Sequence, residues 1–177
     1  SKDELWSGTV AQALALLPPD RIESARAAWM KQLPPATLLK VMRAVVHVKS
    51  PAAKAFLADA LAKCADPAVR RFALEGTGRV GAVDDVPMLL TWMHGDDAEA
   101  AEAARRGLIQ LGDVKADAAL VGKLKGYEKD PAFLAKLLDV LAVRNALGHA
   151  PAIVSFLSHA DGAVRVQAFR PLGQQGR

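Results

Sequence analysis

One short phrase recurs along this chain at an almost constant interval, and no other feature limits the possible folds so tightly. It reads Asp66-Pro67-Ala68-Val69-Arg70-Arg71-Phe72-Ala73, then Asp97-Ala98-Glu99-Ala100-Ala101-Glu102-Ala103-Ala104, then Asp130-Pro131-Ala132-Phe133-Leu134-Ala135-Lys136-Leu137, and last Asp161-Gly162-Ala163-Val164-Arg165-Val166-Gln167-Ala168. The aspartates stand 31, 33 and 31 residues apart. Self-similarity at this period marks a repeat architecture, in which a unit cannot bury its apolar face alone and stacks on its neighbours. Such a chain is expected to serve as a scaffold or a binding surface.

Composition points to helices. Of the 177 residues 51% are hydrophobic but only 5% aromatic, and much of the apolar content is Ala and Leu. These residues favour helices and lack the β-branched character of strands. An all-α chain of about five stacked helix pairs follows. The balance of 23 basic against 19 acidic residues leaves a net charge of +4, a mild excess that does not by itself indicate a nucleic-acid partner. A single cysteine, Cys64, excludes an internal disulfide framework and fits a reducing, cytoplasmic setting. No apolar run reaches the roughly 18 to 20 residues that span a bilayer, so no membrane insertion is expected. Lys2-Asp3-Glu4-Leu5 spells an ER-retention signal at the wrong end of a chain and is set aside. Ser1 in place of Met suggests a segment of a longer protein.

Helix boundaries are legible because Pro and Asp punctuate them. Pro suits the first helical position, where its missing N–H has no partner to lose, and Asp before it caps the free N–H groups. About eleven helices are predicted on this basis. The first covers roughly 3 to 16. The second starts at Asp20, with Glu23 completing a capping box, and the third ends near His47. Others run from Pro51 to Cys64, Pro67 to Gly78, Asp85 to Gly95, Ala98 to Leu111 and Ala116 to Lys125. The last three open at Pro131, Pro151 and Asp161. Leu57, Ala60, Leu61 and Cys64 recur with helical spacing, as do Leu134, Leu137, Leu138 and Leu141, so each helix has one apolar face.

Asp-x-x-Val-Arg at 66–70 and 161–165, the alanine seven residues after each of those aspartates, and Leu-Gly at 111–112 and 172–173 together resemble short HEAT-like repeats of the bilin-lyase type. The resemblance implies a right-handed α-solenoid of about five antiparallel helix pairs plus an N-terminal helix, forming one domain over 1–177. It also implies that the helices opening at Asp66, Asp97, Asp130 and Asp161 line an inner, concave layer. Helices opening at Pro51, Asp85, Ala116 and Pro151 would form the outer one, and the helix at Pro35 a degenerate fifth inner helix. In the family an Asp and the Arg four residues on often link neighbouring repeats. Arg70 and Arg165 match that Arg, whereas Ala101 and Leu134 do not, so the ladder is expected to break in the middle. Pro171 is expected to kink or end the last helix early.

Arginine marks the candidate binding surface. Arg43, Arg70, Arg71, Arg105, Arg106, Arg144, Arg165 and Arg170 fall on the inner-layer helices and would form a basic stripe along the groove. The competing reading is a solvated face with inter-repeat ion pairs, since Glu75, Glu99, Glu102 and Asp139 lie on the same helices. The histidines, His47, His94, His149 and His159, show no metal-binding spacing, and none is followed by Glu as in the iron-binding deoxyhypusine hydroxylases; no metal or cofactor is expected. Trp6, Trp29, Trp92 and Tyr127 read as packing residues rather than base-stacking ones, and Cys64 as a small core residue. Gly76-Thr77-Gly78-Arg79-Val80-Gly81 matches the dinucleotide fingerprint in letters only, because here it closes a helix.

The function expected is therefore non-catalytic: a solenoid presenting its concave face to another protein. The alternatives are nucleic-acid binding, including a DNA glycosylase-like role, and bilin-lyase-like handling of a cofactor.

Overall fold

The computed structural model describes Ala13 and residues 16–47 and 52–173, and these residues are helical without a single strand. The helices are α1 (Pro19–Gln32), α2 (Pro35–His47), α3 (Ala53–Lys63), α4 (Pro67–Val80), α5 (Val86–His94), α6 (Ala98–Gln110), α7 (Ala116–Lys123), α8 (Pro131–Val143), α9 (Ala150–Val154) and α10 (Gly162–Gly173). The predicted first helix, with Trp6, falls largely outside the described residues, as does Pro51.

The repeated aspartates are helix caps. Asp66 Oδ1 accepts from the N–H groups of Ala68 and Val69 at 2.9 and 3.0 Å, and Asp97 Oδ1 from Glu99 and Ala100 at 3.1 and 3.0 Å. Asp130 Oδ1 accepts from Phe133 at 3.1 Å, and Asp161 Oδ1 from Ala163 and Val164 at 2.8 and 3.2 Å. Each carboxylate satisfies N–H groups that the first helical turn leaves without partners. Seven residues on, Ala73, Ala104, Leu137 and Ala168 have no exposed surface. Cap and buried residue thus fix where each helix starts and which face it turns inward.

Even-numbered helices pack in order, α2 on α4, α4 on α6, α6 on α8 and α8 on α10. The odd-numbered ones lie against them, α3 on α4, α5 on α6, α7 on α8 and α9 on α10. Two apolar clusters fill the interior. One gathers Ile22, Leu38, Met42, Phe56 and Val69; the other runs from Leu74 through Leu89, Leu108 and Leu134 to Ala168. They meet at α4, and Leu61 packs against both.

Several local expectations need correction. Gly76 and Gly78 lie buried inside α4 and do not terminate it; they are small because Leu57 and Gly107 press against them. Gly81 follows the helix and donates its N–H to the Thr77 carbonyl at 2.7 Å. Asp20 and Glu23 form no capping box, since Pro18 and Pro19 start α1 before Asp20, and Glu23 pairs with Arg26 at 2.7 Å. The tenth predicted helix shrinks to five residues between the 3₁₀ turns Leu147–His149 and Ser155–Ser158. Pro171 does not end α10, which continues to Gly173; its missing N–H takes the donor from a single carbonyl, that of Gln167, and the helix carries on past that one lost bond. No helix among the described residues is long and apolar enough to cross a membrane.

Candidate interaction surface

The ninth residue after each repeated aspartate is charged, and the sign alternates: Glu75 on α4, Arg106 on α6, Asp139 on α8, Arg170 on α10. Because each aspartate fixes its helix start, these four side chains come to one face of the even-numbered helices, where Arg106 meets Glu75, Arg170 meets Asp139, and Arg105 bridges the two pairs. Arg106 Nη1 lies 3.2 Å from Glu75, and Arg106 Nε 3.2 Å from Glu102. Glu102 also receives Arg105 Nε at 2.9 Å, and Arg105 Nη1 reaches Asp139 at 2.9 Å. Asp139 is completed by Arg170 on α10. A second rung joins Arg71 of α4 to Glu99 of α6, and Arg79 Nε donates to Gln110 Oε1 at 3.2 Å.

Glu102 is the hub of this network. The hydrogen bond from Arg105, followed by its charge and those of Arg106, holds the carboxyl below the ordinary glutamate range despite partial burial. The same contact raises Arg105. A carboxylate shared by two guanidiniums stays ionised, so the face carries fixed charges of both signs.

Two clefts open beside the network. One, of about 540 Å³, lies between α2, α4 and α6 over Leu39, Ala68, Phe72 and Ala103. The other, of about 570 Å³, lies between α6, α8 and α10 over Ala98, Ala101, Ala135 and Met93. Glu102 borders both. The α6–α8 contact is the sparsest along the row, and Ala101, where the expected ladder arginine is missing, opens directly into its cleft. A methyl group there leaves room that a longer side chain would fill.

The eight predicted arginines separate into three groups. Arg71, Arg105, Arg106 and Arg170 share the face, where they meet four carboxylates, Glu75, Glu99, Glu102 and Asp139. Four against four leaves no net charge among these side chains. Arg43 borders the first cleft with its guanidinium carbon 5.8 Å from the Phe72 ring centre. The remaining three point elsewhere. Arg70 stacks over Trp92 of α5 at 5.4 Å, and Arg165 turns back to the carbonyls of His159 and Ala160 at 2.8 and 2.7 Å. Arg144 is 8% exposed and bonds Asp117 Oδ1 at 2.5 Å while donating to the carbonyls of Leu108, Ile109 and Leu111 at 2.6, 3.2 and 2.8 Å. These carbonyls close α6, which leaves them without partners of their own.

The polar links between helices therefore do not run through Arg70 and Arg165. On the face of the even-numbered helices they use the alternating ninth residue at Glu75, Arg106, Asp139 and Arg170, with Arg105 making the step from α6 to α8, a signal present in the sequence that a search for the family's Asp–Arg spacing passes over.

Trp29 packs 6.0 Å from Phe56, and Trp92 lies against the larger apolar cluster under Arg70. Cys64 packs on the N-terminal cluster. His94 Nε2 lies 2.8 Å from Asp130 Oδ2, with its ring edge-on to Phe133 at 4.6 Å, which ties the end of α5 to the cap of α8. Among the described residues no three His, Cys, Asp or Glu side chains come together as a metal site. No protein-family profile and no curated protein matches the sequence.

Proposed function

We propose that the chain is a non-catalytic, HEAT-like helical-repeat scaffold. Its helix pairs build a right-handed α-solenoid, and the face of the even-numbered helices binds another protein. The observation that carries this reading is the pairing of Arg71, Arg105, Arg106 and Arg170 with four carboxylates on that face. A nucleic-acid groove gains affinity by releasing counterions from phosphates, which needs cations whose charge is not already balanced at close range. Here the fixed charges alternate, with small apolar floors in the clefts between them. Alternating charge over an apolar floor suits a peptide or protein surface of matching pattern, where complementary potentials set register and partner.

The test is fluorescence anisotropy of a labelled duplex DNA and a labelled single-stranded RNA titrated with the chain across a salt series. No saturable binding to either is expected. Binding whose logarithm falls steeply and linearly with the logarithm of salt concentration would replace the protein partner with a nucleic acid.

A further inference from the structure

One cation on the shared face is left over. Pro34 holds the place before α2 that Asp66 holds before α4, since its carbonyl accepts the Leu38 N–H at 2.9 Å as the Asp66 carbonyl accepts that of Arg70 at 3.0 Å. The registers coincide, and Met42 is buried where Leu74 is. Arg43 stands nine residues after Pro34, so it opens the charged row that Glu75, Arg106, Asp139 and Arg170 continue. Its neighbour in that row does not answer it. Glu75 pairs with Arg106 on its other side, Glu99 with Arg71, and Glu102 with Arg105 and Arg106. The four arginines and four carboxylates of the face balance one another, and Arg43 is a fifth cation with which no carboxylate pairs among the described residues.

The cleft that Arg43 borders lies within the row and not at its end, between α2, α4 and α6. There the Arg43 guanidinium lies over the Phe72 ring, 5.8 Å from its centre. A guanidinium over a ring contacts it through its planar face, which leaves the N–H edge free to fork onto a carboxylate. Leu39 and Phe72, both partly buried, supply apolar floor beside it. We propose that this cleft takes an acidic side chain of a partner protein, an Asp or Glu whose carboxylate binds Arg43 while a neighbouring aliphatic side chain covers Leu39 and Phe72. The proposal rests on the reading of this face as protein-binding and adds the residue type that the face selects. An incoming carboxylate meets an uncompensated cation, whereas an incoming basic side chain meets carboxylates that already hold arginines.

The probe is a random peptide library selected on the immobilised chain. Recovered peptides are made acetylated and amidated, so that only side chains supply carboxylates, and are titrated by anisotropy. Peptides whose binding Ala68→Arg abolishes occupy this cleft, and they should carry an Asp or Glu that Arg43 requires. Arg43→Gln should weaken them about tenfold, the size of one charge-assisted hydrogen bond. Arg43→Glu should reject them and accept the same peptides with Lys in place of the acid. Lys123→Gln, the same loss of charge on α7, should change nothing. Arg43 is exposed, so the circular dichroism of its variants should match that of the parent. Cleft peptides without an acid, or indifferent to Arg43→Gln, overturn the proposal and leave the protein-binding face standing. So do peptides that only Ala135→Arg abolishes. Peptides indifferent to both cleft variants, or none at all, remove the face itself and the proposal with it. Duplex DNA held through Arg43, or a dimer in sedimentation velocity that Arg43→Gln dissolves, also overturns it, the occupant then being a phosphate or a second copy.

Discussion

A β-carbon on Gly78 would stand 2.3 Å from the carbonyl oxygen of Gly107, so α4 and α6 meet backbone to backbone at this pair. The reverse holds as well, since a β-carbon on Gly107 would lie 2.6 Å from the Leu74 carbonyl oxygen. Glycine normally weakens a helix by about 1 kcal/mol relative to alanine, and here the close approach offsets that cost. The rung between Glu75 and Arg106 depends on the same approach.

Gly78→Ala should therefore destabilise the chain by about 1–3 kcal/mol, because the obstructing atoms are backbone and cannot rotate away. Gly122 on α7 has nothing within 4 Å of its would-be β-carbon. Gly122→Ala should instead stabilise by about 0.5–1 kcal/mol. Urea unfolding of the two variants should give midpoint shifts of opposite sign.

Arg144 joins three helices. It sits in the turn after α8, where Asn145 takes a positive φ of 55° and the Ala146 N–H returns to the Leu141 carbonyl at 3.1 Å. From there its guanidinium closes the end of α6 and pairs with Asp117 of α7. Arg144→Met should cost about 3 kcal/mol, since it strips partners from several carbonyls and from a carboxylate together. Arg144→Lys should recover only part of that, because an ammonium cannot reproduce the planar fork. Equilibrium unfolding of both variants checks the order.

Acid should weaken the fold through identifiable carboxyls. The N–H groups of Lys115 and Val83 hold Asp113 below its ordinary value of 3.8. The N–H of Phe133, and then the His94 ring, do the same for Asp130. Arg105 holds Glu102 below its ordinary 4.5. A carboxyl depressed by folding stabilises the native state above its unfolded pKa, and that contribution disappears as pH falls through the folded value. Stability from these groups should be constant above about pH 5 and decline below about pH 4. Urea midpoints measured down this range should fall, and less steeply in Glu102→Gln.

The helix starts were legible because capping is local. Asp66, Asp97, Asp130 and Asp161 need only the N–H groups two or three residues ahead, and all four make those bonds. The same locality misled at Asp20, where Pro18 and Pro19 start the helix before the apparent cap. Arginine placement was not local. Arg70 and Arg71 are neighbours in sequence, yet one helix step turns Arg70 onto Trp92 and Arg71 onto Glu99. Only packing between helices decides which of the two reaches the face shared by α4 and α6. Gly76 could have been placed inside its helix, since it stands ten residues after its aspartate, as Gly107 does inside a helix expected to run to Leu111. Gly76 reads as a helix end because glycine more often marks one.

The most direct measurement of the central claim, that the face of the even-numbered helices recognises protein, is selection of a random peptide library on the immobilised chain. Isolated peptides are then titrated against Ala68→Arg and Ala135→Arg, which fill the two clefts, and against Thr91→Glu on α5. The account predicts saturable binders that one or both cleft variants abolish and Thr91→Glu leaves unchanged. A selection that returns no saturable binder, or binders indifferent to both cleft variants, would contradict it.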